Sequence, residues 1–333
     1  MIRQFFETVW YDRQWYKKRP LYLLPMIVLL PVSWLFCLLV EIRRSGYRTG
    51  LVKSRRAAVP VIVVGNITVG GTGKTPLIIA LASWLQQQGY RPAVISRGYG
   101  RKSTEEISRV SVNSSAEEVG DEPLLIASTT GVPVYVGVDR VTVADRAVMD
   151  QSCDLILSDD GLQHYRMGRD IEIAVIDGER RLGSRLCLPA GPLRERASRL
   201  QQVDVVVVNG DNMRLQPQPL YLLGEQSSEK ISLDDITGRT VHAVAGIGNP
   251  ERFFTMLRSA GIEVITHPFP DHHQYNAEEL NFADGHPVVT TEKDAVKMRE
   301  LNLGQGIDIW VAPVTAELDE KITQKLKQRL SNL

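Results

Sequence analysis

The stretch Gly65-Asn-Ile-Thr-Val-Gly70-Gly71-Thr72-Gly73-Lys74-Thr75 has the residue types and spacing of a phosphate grip. Glycines let backbone N–H groups come close to an anion, and a helix that starts at the end of the loop adds its positive pole. Lys74 in this position holds the terminal phosphates of a nucleotide, and the Thr75 hydroxyl ligates Mg2+. One position departs from the usual pattern: its first glycine is replaced by Thr68, and Gly70 and Gly71 sit inside the loop. The candidate nucleotide contacts are therefore Thr68, Gly70, Gly71, Thr72, Gly73, Lys74 and Thr75. A dinucleotide site of the G-x-G-x-x-G kind has a different spacing and leaves Lys-Thr unexplained.

Acidic residues supply a second set. Asp154 to Leu157 reads as an apolar strand running into Ser158-Asp159-Asp160-Gly161. Mg2+ is bound by one or two carboxylates together with substrate phosphates, and a strand end beside the phosphate loop is where such enzymes hold it. Thr75, Asp159 and Asp160 are the candidate metal ligands, and the pattern does not choose between the two aspartates. His164 reads equally as a site residue or a loop histidine. Asp121, after Gly120, can accept or orient the proton of an attacking hydroxyl, or cap the helix that follows. His272 and His273 are adjacent, so they lack metal-ligand spacing on a helix. Either can tune or relay a proton for a carboxylate.

These groups need a frame. Val59–Val64 reads as a buried strand, Pro76–Gln88 as a helix closed by Gly89, and Arg91–Ser96 as a strand. A helix is expected over Glu118–Ser128, a strand over Val132–Val136, and a helix over Asp139–Asp150. Strands are expected again at Ile171–Ile176 and Asp204–Val208. This alternation implies an α/β fold of P-loop NTPase type, a mostly parallel sheet with helices on both faces. The pattern loosens around Gln216–Asp235, and a smaller C-terminal α/β domain follows. Its strands are expected at Thr240–Ala245, Glu263–Thr266, Val288–Thr290 and Asp308–Val311. Its helices are expected at Pro250–Ala260, Ala277–Ala283, Ala295–Leu301 and Glu317–Leu330. The expected domains are 1–45, 46–225 and 226–333.

The N-terminal part is an anchor by composition. Pro20 to Val40 carries no charge, which is about the length a bilayer crossing needs. Lys17, Lys18 and Arg19 precede it, and Arg43, Arg44, Arg48, Lys53, Arg55 and Arg56 follow. A membrane helix is expected, with the main body on the cytoplasmic side. Pro25 and Pro31 leave open whether the segment spans or lies in the surface. With 39 basic and 39 acidic residues the chain has no net charge, so no nucleic-acid partner is expected. Cys37, Cys153 and Cys187 are odd in number and widely spaced, which suits reduced thiols.

GNITVGGTGKTP, RGYGR, GDEP, DDGLQH, PAGPLRE, PDHH and TTEKDAVK occur in that order along nearly the whole chain. This set, with the apolar segment before it, resembles the tetraacyldisaccharide 4'-kinase family, which phosphorylates the 4' position of a lipid A precursor. The resemblance implies ATP and Mg2+ as cofactors, an acylated disaccharide as substrate and the cytoplasmic face of the inner membrane as location. It implies that Asp121, His272 and Lys74 are catalytic, with His273 the alternative histidine. It further implies that Arg97, Arg101, Arg194 and Glu195 contact substrate. Two rival readings remain. A membrane-recruited P-loop ATPase switch leaves RGYGR, PAGPLRE and PDHH without a purpose. A GTPase would read guanine through N-K-x-D, whereas Asn209-Gly210-Asp211 has no lysine. The oligomeric state is not legible.

Overall fold

The computed structural model describes residues 2–12, 14–111, 113–150, 153–224, 230–301 and 307–333. The β-branched runs form two sheets. In chain order the first holds β1 (Val61–Gly65), β2 (Pro92–Ser96), β3 (Ile107–Arg109), β4 (Val134–Gly137), β5 (Leu155–Asp159), β6 (Ile171–Asp177), β7 (Val205–Asn209) and β8 (Met213–Pro217). The second is built from β9 (Leu220–Leu222), β10 (Lys230–Ile231), β11 (Thr240–Ala245), β12 (Glu263–Pro268), β13 (Val288–Thr291) and β14 (Ile309–Ala312). A last strand, β15 (Val314–Leu318), returns to the first sheet and pairs antiparallel with β8.

The large sheet has the order β15-β8-β7-β6-β1-β5-β2-β4-β3. Its centre is parallel, with β1 between β5 and β6. The carboxyl ends of β1, β2, β4, β5, β6 and β7 therefore open on one edge, which is where such sheets bind ligands. One face is covered by the helix Lys74–Gln87, whose Leu77, Ile78, Leu81 and Leu85 repeat at helical spacing, and by the helix Glu320–Leu330. The other face carries the helix Arg140–Met149. The small sheet has the order β10-β9-β14-β13-β11-β12, with the helix Pro250–Ser259 on one side.

Three expected elements differ. The helix expected over Glu118–Ser128 is two helices, Ala116–Val119 and Asp121–Thr130, broken at Gly120 with φ 94°. Pro123 explains the break: inside one continuous helix its ring would meet the Val119 carbonyl, whereas in a new first turn it is tolerated. Only a single turn, Glu278–Leu280, forms within Ala277–Ala283. The expected helix Glu317–Leu330 begins as β15 and becomes helical at Glu320. Residues 226–333 are thus shared between both sheets. The expected boundary at 225/226 lies outside the described residues. The change of sheet falls between Pro217 and Leu220, and again between Ala312 and Val314. There the two crossings lie side by side, Gln218 N donating to Pro313 O at 2.9 Å.

The N-terminal apolar segment is one helix, Leu23–Arg48, continuous through Pro31. Pro25 sits in its first turn, where a missing N–H costs nothing. Met26 and Ser33 face the body, and Ala190 N donates to Ser33 Oγ at 2.8 Å.

Candidate active site

The phosphate loop is fixed from behind by the PAGPLRE segment. Val69 N donates to Pro192 O at 2.9 Å, and Arg194 N to Ile67 O at 2.7 Å. Gly73 has φ 90°, and a Cβ there would lie 2.5 Å from Asn209 Nδ2. That amide donates to Thr72 O at 3.3 Å, so the strand-end asparagine braces the loop. Residues Gly70 to Thr75 line a cavity of about 1310 Å³ between the two sheets. Thr68 is buried beneath it and bridges Leu193, so its place is in the support rather than in the lining.

Asp159 and Asp160 end β5 at the same cavity. Ser96 Oγ donates to Asp159 Oδ2 at 2.9 Å. Burial, followed by the charges of Glu122 and Asp160, pushes the Asp159 carboxyl up to about 7. Asp160 goes the other way. Burial opposes its charge, but Lys74 and Arg194 outweigh that and hold it down to about 2. Lys74 Nζ stands 3.6 Å from Asp160, and Arg194 Nη1 2.9 Å. Asp159 is a hard-oxygen donor whose charge is incompletely offset, and it lines the same cavity as Thr75, which fits Mg2+. Among the described residues no three His, Cys, Asp or Glu side chains form a metal cage. Mg2+ typically completes its shell with phosphate and water.

Also on the large sheet's side, Asp121 opens the helix Asp121–Thr130, while across the cleft His272 follows β12. His272 Nδ1 lies 3.1 Å from Asp121 Oδ2. His272 has φ 62°, a left-handed backbone that costs energy and marks functional loops. Its imidazole pKa is raised, first by the bond to Asp121. Asp121 is lowered: burial opposes this, and the bond to His272 together with Lys293 prevails. His272 lines the cavity and Asp121 sits behind it. His273 turns to Glu279 at 3.0 Å instead.

The profile of the family described as tetraacyldisaccharide-1-P 4'-kinase matches residues 25–331. The chain belongs to this family. A tetraacyldisaccharide 4'-kinase of Methylobacillus flagellatus is 47% identical, over 97% of this chain and 96% of its own. One from Alkalilimnicola ehrlichii is 48% identical, over 92% of each chain. A crystal structure of LpxK from Aquifex aeolicus in complex with ATP superposes with a TM-score of 0.75 at 30% identity, covering 92% of this chain and 98% of that one.

The other residues anticipated for this kinase divide. Arg97 and Arg194 line the cavity. Arg101 instead curls into its own loop, donating to Glu105 O at 2.7 Å. Glu195 is buried and accepts from Gln163 Nε2 and Tyr165 Oη, both at 2.6 Å. Gln163 in turn donates to Asn66 O at 3.1 Å, so Glu195 supports the phosphate loop from beneath. His164 lines the cavity, its pKa pushed down to about 4 by burial and by Arg140. Among the lining cations that the sequence did not single out are Arg140 and Lys293. Arg140, 5% exposed, opens the helix that follows β4 and faces Asp159 and Asp160. Lys293 reaches in from the small sheet's side. The rule that parallel strand ends gather ligands would have found Arg140.

Proposed function

We propose that this kinase transfers the γ-phosphate of ATP to the 4'-hydroxyl of a tetraacyldisaccharide 1-phosphate, working at the cytoplasmic face of the inner membrane. One observation carries the reading. The phosphate loop, the His272–Asp121 pair and the apolar N-terminal helix, through Phe36 and Val40, meet around a single cavity.

Phosphoryl transfer needs positioning and charge neutralisation more than covalent chemistry. Backbone N–H groups of Gly70 to Thr75 and the helix that follows receive the phosphates. Lys74, now 3.6 Å from Asp160, swings its ammonium to the β/γ-phosphates. Thr75 and Asp159 are the natural ligands for Mg2+, with Asp160 still held by Arg194. Bound there, Mg2+ neutralises charge on the transferring group. His272 faces the cavity and takes the sugar hydroxyl's proton, while Asp121 holds the imidazole in orientation and stabilises its charged form, as a triad aspartate does. The apolar sector of Leu215, Ile247, Phe253 and Val314 suits the adenine ring. Arg97 and Arg140 offer positive charge to an anionic sugar.

The helix Leu23–Arg48 supports membrane attachment. Leu24, Ile27, Val28, Leu35 and Leu38 are all exposed along one stripe. Basic residues flank both ends, which favours a cytoplasmic position for each. Purified enzyme with γ-labelled ATP and a tetraacyldisaccharide 1-phosphate is expected to give lipid labelled at the 4' oxygen. ATP consumption at the same rate without lipid would instead favour the ATPase switch.

A further inference from the structure

Lys293 occupies a position that the reaction as described does not use. It lies in the first turn of the helix Glu292–Met298, on the small sheet's side of the cleft. Its Nζ reaches three carboxylates: Glu122 at 2.9 Å, Asp271 at 3.1 Å and Asp121 at 3.8 Å. Glu122 and Asp121 belong to the large sheet's side, and Asp271 to the loop that carries His272. The lysine side chain is 15% exposed, so the contacts are poorly screened by solvent. Its helix is itself fixed. Thr291 Oγ1 accepts from Asp294 N at 3.2 Å, and the fully buried Asp294 accepts from Gly246 N at 3.0 Å. The cation is therefore delivered from a rigid support to a cluster of negative charge that spans the cleft.

We propose that Lys293 is the positioning residue that clasps the two sides of the cleft together and sets the charge state of the His272–Asp121 pair. This rests on the reading of His272 as the proton acceptor.

The electrostatics have a definite sign. The groups facing His272 are Asp121, Asp271 and Lys293, with the Tyr99 ring 5.1 Å away. Those facing Asp121 are His272, Lys293 and, more distantly, Lys297. Glu122, Asp121 and Asp271 surround Lys293 and raise its pKa despite burial, so it stays charged at every working pH. Lys293 disfavours a proton on His272, and Asp271 favours one. Without the lysine the imidazole holds its proton to higher pH. Without the Asp271 charge it releases the proton at lower pH. A lysine that only bridged the two sides would change stability or turnover and leave the titration in place.

The test is the pH dependence of kcat/KM with saturating Mg2+-ATP for the full chain and the variants K293Q, K293R and D271N, each with a thermal melt. K293Q is expected to shift the alkaline-going rise in rate to higher pH and to lower turnover at neutral pH by on the order of tenfold or more, since a close like charge that disfavours the imidazolium is gone. D271N shifts the rise to lower pH. K293R keeps the wild-type midpoint. The opposite signs keep the proposal testable if one variant fails to fold. A midpoint unmoved in whichever of K293Q and D271N folds, or moved the wrong way, overturns it. D121N is the control for the underlying reading: near-normal activity there defeats the base assignment, whereas an inactive D121N with unshifted K293Q defeats the clasp alone.

Discussion

Lys74 and Arg194 both direct a cation at Asp160, while Asp159 next to it is left with its charge poorly compensated. Two neighbouring carboxylates are thereby given different tasks, one tied to protein cations and the other available to a hard metal. Lys74→Ala removes the group proposed to move from Asp160 to the phosphates. Turnover should fall by roughly two to three orders of magnitude, as when one preorganised charge donor is deleted, with the melting curve little changed. Asp121→Asn acts on the pair with His272. The bond to Asp121 is the chief cause of His272's raised pKa, so the asparagine lets the imidazole lose its proton at lower pH. The rate profile should rise earlier on the pH axis and plateau about a hundredfold or more lower, since the base is no longer oriented. A plateau at the wild-type level would count against the pair. Lys74 is legible in the sequence from the loop around it, whereas Asp121 and His272 follow from the resemblance to the family. Lys293 is not legible, since a charged residue in a first helical turn reads as solvated until the tertiary fold turns it inward.

Elements bring these residues together by close approaches that only glycine permits. Gly248, in the turn between β11 and the helix Pro250–Ser259, packs on the phosphate loop from the small sheet's side. A Cβ there would lie 2.4 Å from Gly71 N. Arg180 Nη1 donates to Gly248 O at 3.3 Å and holds that turn in place. Gly248→Ala must push the two loops apart, an overpacking cost of about 1–3 kcal/mol. The expected result is a KM for ATP raised roughly tenfold or more, with a smaller change in KM for lipid. An unaltered KM for ATP would mean that the two loops do not meet during turnover. The alternation of strands and helices made the parallel centre of the large sheet readable, and GGTGKT located its nucleotide edge. The return of β15 to that sheet was not readable. Val314 to Leu318 is too short to separate a strand from the start of a helix by periodicity, and the pairing with β8 joins residues about a hundred positions apart. Gly120 had a readable cause in Pro123, three residues on.

At the scale of the whole molecule the proposed membrane attachment rests on the N-terminal helix. Composition alone allows a bilayer crossing, and the helix Leu23–Arg48 is long enough at about 1.5 Å per residue. Its packing argues for the surface. One side touches the body along most of its length: Met26 near Ala190, Ser33 bonded to Ala190 N, Cys37 accepting from Arg196 Nε at 3.2 Å, Arg43 over the Tyr165 ring at 5.8 Å. Trp10 Nε1, in the short helix before it, donates to Pro189 O at 3.0 Å and closes the same joint. To span, this helix would have to leave these partners or draw their polar backbone into hydrocarbon, where each unpaired group costs several kcal/mol. Lying in the interface, it keeps them and still buries the stripe of Leu24, Ile27, Leu35 and Leu38 in lipid. Phe36 and Val40 then lead from that lipid boundary to the cavity wall. Cysteines introduced at Lys17 and Lys53, before and after the helix, should both react with an impermeant maleimide from the cytoplasmic side of sealed vesicles. A helix that crosses would leave position 17 reactive only from the far side. Replacing Ile27, Leu35 and Leu38 together by serine should release the protein from vesicles, since each side chain contributes roughly 2 kcal/mol when buried. Turnover of a detergent-dispersed substrate should survive that change, because none of the three lines the cavity.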